Sequence, residues 1–191
     1  GTVMEIDLGA IIHNLNFFRS RLRASTKIMV MVKAFAYGSG STEIANLLQY
    51  HKVDYLGVAY ADEGIELRKN NITLPVMVMN PTEESFGTLL QHKLEPEIYS
   101  LKIFQDFLNF LQGRTATIHL KLDTGMHRLG FEERDLDVLI RLLKENPALK
   151  VASIFSHLAG ADESEHDNFS KQQAQRFKQS AEKISQSLGY Q

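Results

Sequence analysis

An α/β fold built on a parallel sheet is what this 191-residue sequence predicts. Three observations lead there: short, nearly all-apolar runs, helix-spaced stretches between them, and a beat of roughly 20 residues from one run to the next. Lys27-Ile28-Met29-Val30-Met31-Val32-Lys33 is the first run, the pattern of a strand buried on both faces. Similar runs follow at residues 55–59, 76–79, 94–99, 117–122 and 151–156, giving six units. Helical spacing fills the intervals, clearest at 43–50, 136–143 and 169–188, and Gly189 reads as the stop of the last helix. Ahead of the first unit, Val3-Met4-Glu5-Ile6 alternates like a brief strand. Asp7 is then the expected N-cap of a helix through Leu22 with Ala10, Ile11, Asn14, Leu15, Phe18 and Leu22 along its apolar stripe. A strand before the first βα unit has no place inside a parallel barrel, so it is expected to belong outside one.

Right-handed crossovers wind such units into either a closed barrel or an open doubly wound sheet. A full eight-unit barrel needs about 250 residues, so on the barrel reading the last quarter lies outside residues 1–191. An open sheet needs nothing more, and the unit count leaves both architectures open. Neither linker nor low-complexity segment interrupts the chain, and one domain over 1–191 is expected.

Composition excludes several function classes. Apolar residues make up 43% and charged residues 23%, enough for a real core. The 21 Lys plus Arg nearly balance the 23 Asp plus Glu, for a net charge of −2, so no field exists to grip nucleic acid or an anionic membrane. No cysteine is present, which removes disulfides, thiolate metal sites and cysteine nucleophiles. No apolar run reaches the roughly 20 residues of a membrane span, and the opening residues lack a signal-peptide pattern. A cytoplasmic location is the expectation.

Functional groups in parallel α/β folds gather past the C-terminal strand ends, and three such ends carry chemistry here. Lys33 follows the first strand directly, where partial desolvation favours the neutral, nucleophilic amine a Schiff base requires. It could equally end its strand and reach for water. The loop after it, Ala34-Phe35-Ala36-Tyr37-Gly38-Ser39-Gly40, matches no nucleotide motif and on its own is ordinary turn chemistry. The fifth strand runs into Lys121-Leu122-Asp123-Thr124-Gly125-Met126-His127-Arg128-Leu129-Gly130-Phe131, where Arg128 could present its fork to a carboxylate or phenolate. Lys121 and Asp123 could equally be a surface ion pair worth little. His157 ends the sixth strand, with Asp162, Glu163 and His166 close by, but no metal-ligand spacing accompanies them and no metal is expected.

Taken together, these segments resemble the alanine racemase family. Residues 32–40 are similar to its pyridoxal-phosphate lysine motif, 121–131 to its arginine loop, and 156–163 to its histidine segment. Ile6-Asp7-Leu8 with Asn14-Leu15 matches its N-terminal strand and helix. The resemblance runs in order along essentially the whole chain. It implies a fold-type III pyridoxal 5'-phosphate enzyme, a (β/α) barrel followed by a β-rich domain, working as a homodimer on alanine. The fold class is then an incomplete TIM-type (β/α) barrel of about six of eight units, with an N-terminal strand and helix before it and the β domain absent.

By the resemblance, Lys33 would hold the cofactor and act as one of two catalytic bases. Tyr37 would contact its phosphate, Arg128 its phenolic oxygen and the substrate carboxylate, and His157 would pack beside its ring. Lys121 corresponds to a lysine that is carbamylated in many members. Phe35 and Ser39 depart from the family's usual Asn and His, a variant resembling the racemase half of a bacterial Mur ligase fusion, which implies peptidoglycan synthesis. The second base, a partner tyrosine of the C-terminal domain, has no counterpart here, so the fragment alone is expected to be inactive. The competing expectations are a non-catalytic pyridoxal-phosphate carrier barrel and a Schiff-base or metal-dependent barrel lyase.

Overall fold

The computed structural model describes residues 1–189; the end of the expected domain, Tyr190 and Gln191, lies outside the described residues. The chain alternates strand and helix throughout and divides into two compact units. The first is Gly1–Asn80 with Thr88–Leu94, and the second is Pro81–Gly87 with the residues from Glu95 onward.

In the first unit, β1 (Met29–Met31), β2 (Tyr55–Val58) and β3 (Val76–Val78) pair in parallel in that order. Met29 lies opposite Tyr55 and Leu56 opposite Val76. The expected strands are present and shorter at their ends, because only residues with a ladder partner count as strand. β2 and β3 are buried almost along their length, as parallel strands covered by helices must be. Gly57 stands opposite Met31, and a Cβ there would lie 2.5 Å from the Met31 sulfur, so the small residue makes room for the large one. Around these strands run α1 (Leu8–Arg21), the five-residue turn α2 (Lys33–Tyr37), α3 (Ser41–Tyr50) and α4 (Ala61–Lys69). The Asp7 carboxylate caps α1, accepting from Gly9 N–H at 2.8 Å and Ala10 N–H at 3.1 Å. Arg19 in its last turn donates to the carbonyls of His51 and Lys52, tying α1 to the end of α3.

Two expectations for this region are corrected. Residues 1–7 contain no strand: Val3 to Ile6 are exposed and have no ladder to join. The predicted stripe of α1 is also mostly uncovered, with Leu15 buried but Phe18 and Leu22 61% and 42% exposed. The periodicity found the helix, while burial depends on what lies against it.

The second unit pairs β4 (Glu95–Ile98), β5 (Ala116–Lys121) and β6 (Leu149–Phe155) in parallel, again in order. Its helices are α5 (Phe86–Gln91, shared in part with the first unit), α6 (Leu101–Leu111), α7 (Leu136–Glu145) and α8 (Asp167–Leu188). Ser100 caps α6 through Ile103 N–H, and Phe104, Phe107 and Leu111 form its buried stripe. Phe86 meets Phe107 edge to face, ring centres 4.9 Å apart. α8 ends at Gly189 with φ +72, the left-handed stop read from the sequence.

Between β5 and β6 the register shifts at Ile118/His119, so that His119 faces Ser153 and Lys121 faces Phe155. One side of these strands is polar and buried. His119 bonds Glu95 through Nε2 at 2.8 Å and Ser153 through Nδ1 at 2.7 Å. Lys121 pairs with Glu97 two residues further along.

Candidate functional site

The first unit carries Lys33 and Tyr37. Val32, fully buried, donates its N–H to the Gly57 carbonyl at 2.8 Å and delivers Lys33 at the end of β1, half-buried. The next four residues then turn left-handed, with φ of 52° at Ala34, 58° at Phe35, 50° at Ala36 and 55° at Tyr37. Each such residue costs an L-amino acid about 1–2 kcal/mol. The turn is closed by Ala36 N–H to Val32 O at 3.0 Å, Gly38 N–H to Ala34 O at 3.1 Å and Gly40 N–H to Phe35 O at 3.0 Å. Gly38 and Gly40, at φ 90° and 92°, take positions where a side chain would add strain. The glycines announce a turn in the sequence. Nothing announces that the left-handed path begins four residues earlier, at alanine. Phe35 and Tyr37 are turned outward, 63% and 68% exposed. Within this unit, among the described residues, the Lys33 amine makes no ion pair.

The second unit carries Lys121, Arg128 and His157. Residues 123–130 make a closed excursion from the end of β5. Asp123 N–H bonds Phe131 O at 2.9 Å, and Phe131 N–H bonds Lys121 O at 2.8 Å. Inside the loop the Asp123 carboxylate accepts from Gly125 N–H at 2.8 Å and His127 N–H at 3.1 Å. Arg128 is exposed near the tip. Gly130 has φ +134, and a Cβ on it would fall 2.4 Å from Asp123 N, against backbone that has nowhere to go. That fixes the return path of the loop.

The alternative of a Lys121–Asp123 surface pair is not what forms. Lys121 lies on the polar face of β5, its Nζ 3.0 Å from Glu97 Oε1 and 5.7 Å from the centre of the Phe155 ring. Its side chain is 5% exposed and that of Glu97 0%, so the pair is buried. Asp123 has left the strand and serves the loop instead.

His157 follows β6 and is exposed, while its carbonyl accepts from Gln173 Nε2 at 3.0 Å. Gln173, fully buried on α8, also donates to Thr124 Oγ1 at 3.3 Å and accepts from Ala159 N–H at 2.9 Å. Thr124 and Ser156 hydroxyls lie 2.8 Å apart, and Ser156 donates to Leu122 O at 2.7 Å. One buried amide thus fastens the start of the arginine loop to the histidine segment. Among the expected neighbours of His157, Glu163 and His166 approach each other together with Glu165, their ligand atoms within 4.8 Å. All three are exposed, as ordinary surface charges are, and Asp162 is not with them.

Sequence reasoning missed Glu63, Glu97, His119 and Gln173. The signal for two of them was legible: Glu95 and Glu97 stand two apart in one strand, and Thr117, His119 and Lys121 do so in the next. Period-two polarity in a strand marks one polar face. Among the described residues no helix is long and apolar enough to cross a membrane.

Comparison with known proteins agrees with this layout. The family of alanine racemase N-terminal domains matches the chain over residues 6–191. An alanine racemase from Synechocystis is 37% identical over 84% of this chain and 44% of its own length; one from Geobacter is 36% identical over 95% and 50%. Among solved structures, the alanine racemase of Clostridium difficile 630 in complex with cycloserine superposes with a TM-score of 0.87 at 36% identity, covering 94% of this chain and 50% of that one. The alanine racemase from a D-cycloserine-producing Streptomyces lavendulae gives 0.87 at 26% identity. The chain spans about half the length of the relatives it matches. Its fold is the incomplete (β/α) barrel of six units, which decides between the two architectures the unit count left open. With motifs, fold and relatives in agreement over nearly its full length, the chain belongs to the alanine racemase family and carries its N-terminal domain.

Proposed function

We propose that this chain is the pyridoxal-phosphate-binding domain of an enzyme that interconverts L- and D-alanine. The observation that carries the reading is the lysine delivered at the end of β1 on a strained left-handed turn, its amine outside any ion pair of its unit. Within the first unit the residues fit the cofactor: a half-buried primary amine and an exposed tyrosine hydroxyl four residues beyond it. Pyridoxal phosphate, when bound, supplies an electron sink that makes the α-proton of an amino acid removable.

Lys33 would hold the cofactor and, as one of two bases, would through Nζ take the α-proton of one enantiomer or, in the reverse direction, deliver a proton to that same face. Tyr37 would offer its hydroxyl to the phosphate. Arg128 would hold the substrate carboxylate and the phenolic oxygen by charge-assisted hydrogen bonds, and His157 would flank the ring. Racemisation by these residues alone is expected to be absent or very weak, because the opposite-face base would come from the other half of the relatives' length. The same reading has the whole enzyme act as a homodimer in the cytoplasm, supplying D-alanine for peptidoglycan. Phe35 and Ser39 support a place beside a Mur ligase in a fusion protein.

The test is to add pyridoxal phosphate, reduce with borohydride and locate the adduct by peptide mass mapping. A single adduct on Lys33, lost in Lys33→Ala, is the expected result. Labelling scattered over exposed lysines would overturn the proposal.

A further inference from the structure

We propose that Glu63 is a positioning residue for this site: its carboxylate clamps the left-handed turn that carries Lys33 and Tyr37. The role of Lys33 rests on the function proposed above; the clamp does not. Glu63 is the third residue of α4, and one of its oxygens does what a glutamate there commonly does. Oε2 accepts from Tyr60 N–H at 3.1 Å and from Ala59 N–H at 2.6 Å, satisfying donors ahead of its own helix. A cap needs no more than this. The other oxygen leaves the element altogether: Oε1 accepts from Ala34 N–H at 2.7 Å, 29 residues away in sequence.

Ala34 is the residue after Lys33 and the first of the four at positive φ. None of the four is glycine, so each disfavours its own conformation. A run of that kind persists only where its surroundings over-determine it. The internal hydrogen bonds of the turn define its shape once formed but do not set its direction relative to the sheet. The Glu63 bond does, because α4 and the end of β2 hold the carboxylate from the other side. A charge-assisted bond is also the stronger kind. Fixing the Ala34 amide fixes the peptide plane leaving Lys33, and hence the direction in which its side chain departs. Released, residues 34–37 would relax towards the right-handed or extended regions and carry the lysine amine and tyrosine hydroxyl elsewhere.

Glu63→Gln separates the clamp from the cap. Its single carbonyl oxygen stays with the two donors at Ala59 and Tyr60, while its amide group meets Ala34 donor against donor. Hydrogen exchange measured by mass spectrometry on the whole chain is expected to speed up about tenfold or more at residues 34–40, with 56–60 and the thermal midpoint little changed. Adding Ala34→Gly and Ala36→Gly, which accept positive φ freely, is expected to restore protection in part. In parallel, the yield of Lys33 adduct with pyridoxal phosphate and borohydride should fall in Glu63→Gln and recover in the triple variant. Unchanged exchange at 34–40, or a uniform loss across the chain, would overturn the clamp and leave Glu63 a plain cap. If exchange responds as expected while Lys33 is labelled in neither protein, the clamp stands and the cofactor reading falls.

Discussion

Cutting Glu97 back to alanine takes away the carboxylate 3.0 Å from the Lys121 ammonium while the ammonium stays buried. At that separation, with an effective dielectric near 20, the attraction lost is about 5–6 kcal/mol. Desolvating the two ions opposes a comparable amount, so the pair as a whole contributes little over an apolar replacement, whereas removing one partner costs about 3–5 kcal/mol. Glu97→Ala is therefore expected to lose that much stability in urea unfolding followed by circular dichroism, and Glu97→Leu with Lys121→Met to lose close to none. A single variant costing under about 1 kcal/mol, or a double variant as costly as the single, would refute the buried-pair reasoning. The same geometry bears on the chemical state of Lys121. A carbamate would place a second negative charge where the ammonium now balances Glu97, at the same close distance and with the opposite sign. Lys121 is thus expected to remain an amine. Carbon-13 NMR in labelled bicarbonate should show no carbamate on it, with a signal emerging in Glu97→Gln. A carbamate resonance in the unsubstituted chain that disappears in Lys121→Arg would show the opposite.

Other substitutions test the supports around the site. Gly130→Ala must displace backbone at 2.4 Å and is expected to cost at least about 2 kcal/mol, with exchange rising first at 123–130. Gln173→Leu strands the Ala159 N–H, and should cost about 1–3 kcal/mol in unfolding while loosening residues 157–160. Phe107→Ala empties part of the aromatic core of the second unit and should cost about 3–5 kcal/mol by the same measurement. The Glu84 carboxyl is held below its ordinary 4.5 by a backbone hydrogen bond and by the Thr82 hydroxyl. Its contribution to stability is therefore present above that value and lost as pH falls through the lowered one. NMR titration should find the lowered midpoint and find it closer to ordinary in Thr82→Ala.

The fold was legible because its signals are local and redundant. Six apolar runs with helix-spaced stretches between them need no knowledge of what packs where, and Asp7 and Gly189 mark helix ends by chemistry that acts within a turn. Val3 to Ile6 were misread because alternation alone cannot supply a ladder partner. At the candidate site, Lys33 and His157 could be picked out because each stands just past a strand end, and Arg128 because the loop that carries it leaves one. Glu63 and Gln173 could not, since they act on groups 29 and 49 residues away, whereas Glu97 was marked by the period-two polarity of its strand and only its partner across the strand pair was hidden. Glu63 reads as a helix-start glutamate and is one; its second oxygen becomes visible only when Ala34 is beside it. The apparent Lys121–Asp123 pair failed for a related reason, since neighbours in sequence need not share a face of a strand.

The closure of the 123–130 loop on itself bears on how this fold can diversify. Because Asp123 and Phe131 are stitched to each other and to the end of β5, the residues between them form a cassette. Inserting or deleting residues at its tip leaves the strand register, and the Lys121 side chain beneath it, untouched. Evolution can therefore move the arginine at the tip independently of the sheet, and so retune what the loop grips without rebuilding the barrel. An engineer can do the same by grafting a relative's loop between residues 123 and 131, provided the glycine at the closing corner travels with it.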